Sequence, residues 1–132
     1  MSDSRKITAL IVKLIRGTVE GSIIWQPSDT AIQLSGGASL LNKVYTTVFK
    51  ERYFRIYQFR VRHYHDEDTF SWVEKVQLDL TDQSFNTEWS FPEEQAVRDL
   101  YDTVRFKVAG VSQLLDDILE DEDIVEDNEL HF

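Results

Sequence analysis

The sequence predicts an α+β domain: an N-terminal helix, an antiparallel β-meander of about five strands, and a long C-terminal helix packed on the sheet. Three observations lead there. Apolar residues recur at helical spacing between Ile7 and Ile15. Proline and glycine are absent between Lys43 and Leu80, where aromatic and β-branched residues crowd. Helical spacing then returns after Pro92.

Asp3 or Ser4 can cap the first helix, and Ile7, Leu10, Ile11, Leu14 and Ile15 share one face of it. This predicts a helix over 4–19, weakened at its end by Gly17, Thr18 and Val19 and closed by Gly21 in the left-handed conformation. Residues 22–26 are β-prone, Pro27-Ser28-Asp29 has turn composition, and 30–34 is expected to pair back as a hairpin before the break at Gly36-Gly37. Residues 44–50 and 52–63 read as strands joined at Glu51 by a tight turn, or as one strand with a bulge. In the next strand Phe70, Trp72, Val76, Leu78 and Leu80 alternate with Ser71, Lys75, Gln77 and Asp79, which predicts one core face and one wet face. A turn at Thr81-Asp82-Gln83 precedes a short strand near 85–89.

Ser90, Phe91, Pro92 and Glu93 form a capping-box pattern that starts the second helix. Its apolar face is Val97, Leu100, Tyr101, Val104, Val108, Val111, Leu115 and Ile118, with Gly110 as the weak interior position. Acids at its far end oppose the helix dipole, so it is expected to fray after about residue 119. The expected organisation is one domain over 1–119 and a flexible acidic tail over 120–132.

A chain of 132 residues can bury a sizeable core without a staple. It has no cysteine, which excludes disulfides, thiolate zinc sites and a cysteine nucleophile. The most apolar stretch, 7–15, is broken by Lys13, is far shorter than the roughly 20 residues that span a bilayer, and is not followed by a signal cleavage site. The expected location is therefore cytoplasmic, with no membrane partner. The net charge of −10 is concentrated at the end: residues 1–115 carry all 14 basic and 15 acidic residues, and 116–132 adds nine acids and no base.

Three segments could carry function. Between Lys43 and Tyr64, six basic residues face only Glu51, and rings are interleaved among them. A surface that stacks bases and binds phosphate needs that mixture, with Arg55, Tyr57, Arg60, Arg62 and Tyr64 as the candidate binding residues. The alternative is that the rings are core and the arginines form a wet face, pairing with Glu74 or Asp79 across strands. Second, His63 and His65 point the same way on a strand and, with Asp66, Glu67 or Asp68, could offer ligands to a divalent metal, but a polar loop between two strands attracts such residues anyway and no second cluster in the sequence completes a site, so a solvated loop is the simpler reading. Third, the tail mixes acids with apolar residues, and Asp121, Glu122, Asp123, Ile124, Val125 and Phe132 are its candidate contacts with a basic, partly apolar groove of a partner or of the chain itself. No catalytic triad, phosphate-cradling glycine loop or cofactor motif is present, so neither a catalytic residue nor a cofactor is assigned.

The order of features includes Gly21-Ser22-Ile23-Ile24-Trp25, a meander, Leu100-Tyr101 with Val104 and Arg105, and the ending Leu114-Leu115-Asp116-Asp117-Ile118-Leu119. Over about 5–119 it resembles small bacterial proteins of the helix, sheet and helix type, a group that brings no assigned activity. The resemblance implies the fold and a bacterial or phage origin, and it names no site residue. The expected function is a non-enzymatic protein-interaction or regulatory module that contacts a protein partner partly through the acidic C-terminal segment from Asp116 to Phe132, with self-association possible where the helices leave apolar sheet uncovered. The alternatives are nucleic-acid or small-anion binding through 43–64, and third a metal-dependent hydrolase at His63 and His65.

Overall fold

The computed structural model describes residues 2–28, 32, 34 and 37–126, with side chains described for all of these except Ser2 and 121–126. The element order is α1 (Ser2–Glu20), β1 (Gln26–Ser28), β2 (Ser39–Phe49), β3 (Arg52–Tyr64), β4 (Phe70–Thr81), β5 (Thr87–Ser90), α2 (Gln95–Val108) and α3 (Val111–Glu126). The strands form one antiparallel sheet in the order β1-β2-β3-β4-β5, the expected meander.

Glycines close α1 where the sequence places them. Gly21 takes a φ of 88°, and the chain then turns back so tightly that a Cβ on Gly17 would lie 2.4 Å from Ile23 Cδ1. The β-prone run 22–26 is mostly not strand. It is an anchor instead: Ile23 and Trp25 enter the core, and the Trp25 indole donates to Thr18 Oγ1 at 2.9 Å while that hydroxyl donates to the Leu14 carbonyl. Burying an indole N–H requires such a partner. β1 begins only at Gln26 and pairs with β2 across Gln26↔Thr46, and most of the hairpin expected over 30–34 lies outside the described residues.

Between β2 and β3 the connection is a two-residue turn. Phe49 pairs with Arg52, and Lys50 and Glu51 take φ values of 55° and 64°, the geometry that matches the twist of a hairpin. α1 and α2 lie side by side and parallel. At one end Thr8 Oγ1 donates to Glu94 Oε1 at 2.9 Å, and at the other Lys107 Nζ donates to the Val19 carbonyl at 3.2 Å. Between them and the sheet sits one core, with Ile11 and Leu14 from α1, Leu100, Tyr101 and Val104 from α2, and Tyr45, Phe54, Ile56, Val76 and Leu78 from the strands.

Three expectations are corrected. The C-terminal helix is not single: Gly110, with a φ of 68°, separates α2 from α3, and only α2 packs on the sheet. The capping-box pattern at Ser90 does not start α2. Ser90 remains in β5, the Phe91 amide continues the sheet by donating to the Leu78 carbonyl, and α2 begins at Gln95 without a side-chain cap. Asp79 is not on a wet face, since it and Thr81 are buried beneath the β4–β5 connection. Backbone helix in α3 continues to Glu126, beyond the expected end near residue 119.

Because Leu100 is fully buried and Leu115 is 45% exposed, their truncations should separate. Leu100→Ala is expected to cost about 2–5 kcal/mol in urea unfolding, and Leu115→Ala, measured at low protein concentration, no more than about 0.5 kcal/mol.

Candidate interaction surfaces

Strand alternation splits the five candidate binding residues between the two faces of the sheet. Arg55 and Tyr57 point away from the helices, whereas Arg60, Arg62 and Tyr64 share the face of Phe54 and Ile56. They therefore do not form one site.

On the helix-free face Arg55 opposes Asp79 across β3 and β4, and the pair closes at 2.9 Å with both side chains buried. The cross-strand pairing considered from the sequence is thus present. The guanidinium also donates to Thr87 Oγ1 at 2.6 Å and to the Phe85 carbonyl at 3.0 Å. Phe85 can offer that carbonyl because Asp82 shapes its loop, accepting at Oδ1 from the amides of Ser84 and Asn86 and holding Phe85 at a φ of 65°. Those amide donors hold the exposed Asp82 carboxyl below the usual carboxylate range. Nearby, burial pushes the Tyr57 phenol from 10.0 to about 12, with the Asp79 carboxylate adding to the rise and Arg55 opposing it. The cluster is internally committed: its guanidinium faces Asp79, Thr87 and Phe85 rather than solvent.

On the other face, β3 and β4 extend past the helices. Arg60 stacks on Trp72 at 4.2 Å from the ring centroid, Arg62 on Phe70 at 5.0 Å, and Tyr64 packs on Phe70 at 5.6 Å. Tyr64, Phe70 and Trp72 are all exposed. The hairpin tip carries His63 and His65 in edge contact at 5.4 Å, with His65 Nε2 against Ser71 Oγ. Asp66 is occupied in the turn, where Oδ1 accepts from the amides of Asp68 and Thr69 and its carboxyl is lowered by those donors. Among the described residues no three His, Cys, Asp or Glu side chains converge on a common point.

A third surface escaped the sequence reading. Between the first half of α1, the β2–β3 turn and β5 lies a groove of about 500 Å³, floored by Ile7, Leu10, Phe49, Phe54, Trp89 and Phe91. Lys6, Lys50 and Arg52 ring its mouth, against Asp3 as the acid there. Lys50 and Arg52 were visible as charges. What could not be seen is that the two-residue turn carries them toward the N-terminal half of α1.

The fourth surface is α3. Leu114, Leu115, Ile118 and Leu119 are 54%, 45%, 47% and 50% exposed, so the apolar stripe touches little of its own domain. Asp116, Asp117 and Glu120 are exposed as well. Of the candidate tail contacts, Asp121, Glu122, Asp123, Ile124 and Val125 lie on the α3 backbone with side chains outside the described set, and Phe132 lies outside the described residues. Among the described residues no helix is long and apolar enough to cross a membrane. No protein-family model, curated protein or solved structure matches this chain.

Removing one partner of the buried pair should be worse than removing both. Asp79→Ala is expected to lose about 3–5 kcal/mol, and Arg55→Met with Asp79→Leu clearly less, both read from urea unfolding. Tyr57 makes a second outcome. Its phenol holds its proton to about 12 when folded and releases it near 10.0 when unfolded. That contribution to stability is present below pH 10 and is lost as pH rises from about 10 to about 12. Unfolding midpoints measured across that window should fall less steeply in Tyr57→Phe than in wild type.

Proposed function

We propose that this protein is a protein-interaction module and that α3 is its docking helix. The observation that carries the reading is the exposed stripe Leu114, Leu115, Ile118 and Leu119 on a helix that leaves the domain at Gly110. An isolated helix of this length is marginal in water, and most helices in proteins are held by burying an apolar face. A stripe of this kind, flanked by charge of one sign, is the form taken by helices that lie in a partner's groove. The acids Asp116, Asp117 and Glu120, and the further acids of the tail, supply charge that selects a basic partner and speeds encounter. The contact segment thus begins in the apolar part of α3, upstream of the acidic tail residues first considered.

A narrower second reading has its own support in the exposed rings Tyr64, Phe70 and Trp72 beside Arg60 and Arg62, a stacking surface for single-stranded nucleic acid. It requires oligonucleotide affinity that falls steeply with salt, and salt-independent or absent binding removes it.

Immobilised wild type and the double variant Leu115→Glu/Ile118→Glu, each exposed to source lysate and to purified wild-type protein, test the main reading. Proteins retained by wild type and lost by the variant are the expected result. Equal retention by both overturns it.

A further inference from the structure

We infer that α3 of one copy seats in the apolar groove of a second copy, so that two chains exchange helices reciprocally; this rests on α3 being a docking helix and names its partner. The two surfaces match in shape and sign. At 3.6 residues per turn, Val111, Leu114, Leu115, Ile118 and Leu119 fall within an arc of about 140°, and Asp116, Asp117 and Glu120 fall on the opposite side and its flanks. The groove presents an apolar floor of about 500 Å³ with Lys6, Lys50 and Arg52 at its mouth. A helix lying stripe-down would bring its flanking acids toward those cations. Arg52 has a present partner, Glu88, at 3.9 Å, but both side chains are more than half exposed at 57% and 51%, a contact weak enough to exchange.

Reach decides between a chain's own groove and that of its neighbour. α1 and α2 are parallel, and α3 leaves from the end marked by Val19 and Lys107. The groove lies at the other end, along Asp3, Lys6, Ile7 and Leu10. At 1.5 Å per residue those α1 positions are roughly 14–24 Å from Val19, whereas Leu114 to Leu119 lie about 6–14 Å of helix beyond Gly110. Most of the stripe therefore falls short of its own groove, and its residues are exposed rather than seated there. A second copy supplies the groove, and a two-fold arrangement satisfies both helices at once and closes the assembly.

Charge exchange tests this with exposed residues alone. One variant carries Lys6→Glu, Lys50→Glu and Arg52→Glu; the other carries Asp116→Lys, Asp117→Lys and Glu120→Lys. Circular dichroism checks that each is folded, and gel filtration with light scattering is run over a dilution series. Wild type is expected to dimerise, each variant alone to be monomeric, and an equimolar mixture of the two to recover a dimer containing one of each. A wild type that stays monomeric throughout, or a variant that dimerises as well as wild type, overturns the inference. If that monomeric wild type still captures another protein through α3, the inference fails while the docking reading stands; with no α3-dependent capture, both fail.

Discussion

Parallel packing of α1 and α2 against one face of the sheet is the constraint from which the rest of the architecture follows. It buries Ile11, Leu14, Leu100 and Val104 almost completely against Ile56 and Leu78, and it occupies the middle of that face. Burial of such side chains is worth about 1.5–3 kcal/mol each, which outweighs what any single surface contact contributes. Once both helices are seated, the middle of that face has no room for a third. The chain turns at Gly110, and α3 has its apolar stripe in solvent. The same packing leaves the groove open beside the first half of α1, because α2 starts at Gln95 and does not cover Trp89 or Phe91 from that side.

The opposite face of the sheet solves a different problem. With no helix to cover it, the sheet there would present a strip of rings and charges to water. The β4–β5 connection folds over part of it, and Arg55 ties that loop down through Phe85 and Thr87 while neutralising Asp79. A buried charge pair of this kind adds little stability compared with apolar side chains, but it is intolerant of losing one member. Its role is to hold one register and one loop conformation, and so Arg55 is structural here although it belongs to the most basic segment of the chain.

Much of the fold was legible because period and punctuation agreed. α1 could be read from Ile7 to Ile15 with Gly21 as its stop, and β4 from its alternation. The division of α2 from α3 could not be read in the same way. Val104, Val108, Val111, Leu115 and Ile118 keep helical spacing straight through Gly110, so periodicity continues where the backbone does not. The only signal was the glycine itself. Ser90 was misleading for the converse reason, since a capping pattern is local whereas the pairing of β5 with β4 is not. The candidate site was legible in part: the basic and aromatic residues of β3 could be read, and strand alternation puts Arg60 and Arg62 on the face opposite Tyr57, but the groove joins residues distant in sequence, Ile7, Phe49 and Trp89, and no local pattern could assemble it.

A helix whose apolar stripe is about half exposed is held, among the described residues, mainly by hydrogen bonds within itself, which for 16 residues give marginal stability. Its domain and its neighbour therefore make distinguishable contributions to its order. Hydrogen exchange of the purified protein by mass spectrometry, following peptides from α2 and α3 at low and high protein concentration, separates them. The account predicts that α2 is strongly protected at both concentrations, whereas α3 exchanges rapidly when dilute and gains protection as copies associate. Protection of α3 equal to that of α2 at the lowest concentration would contradict it, because the helix would then be held by its own domain and its stripe would not be a docking surface.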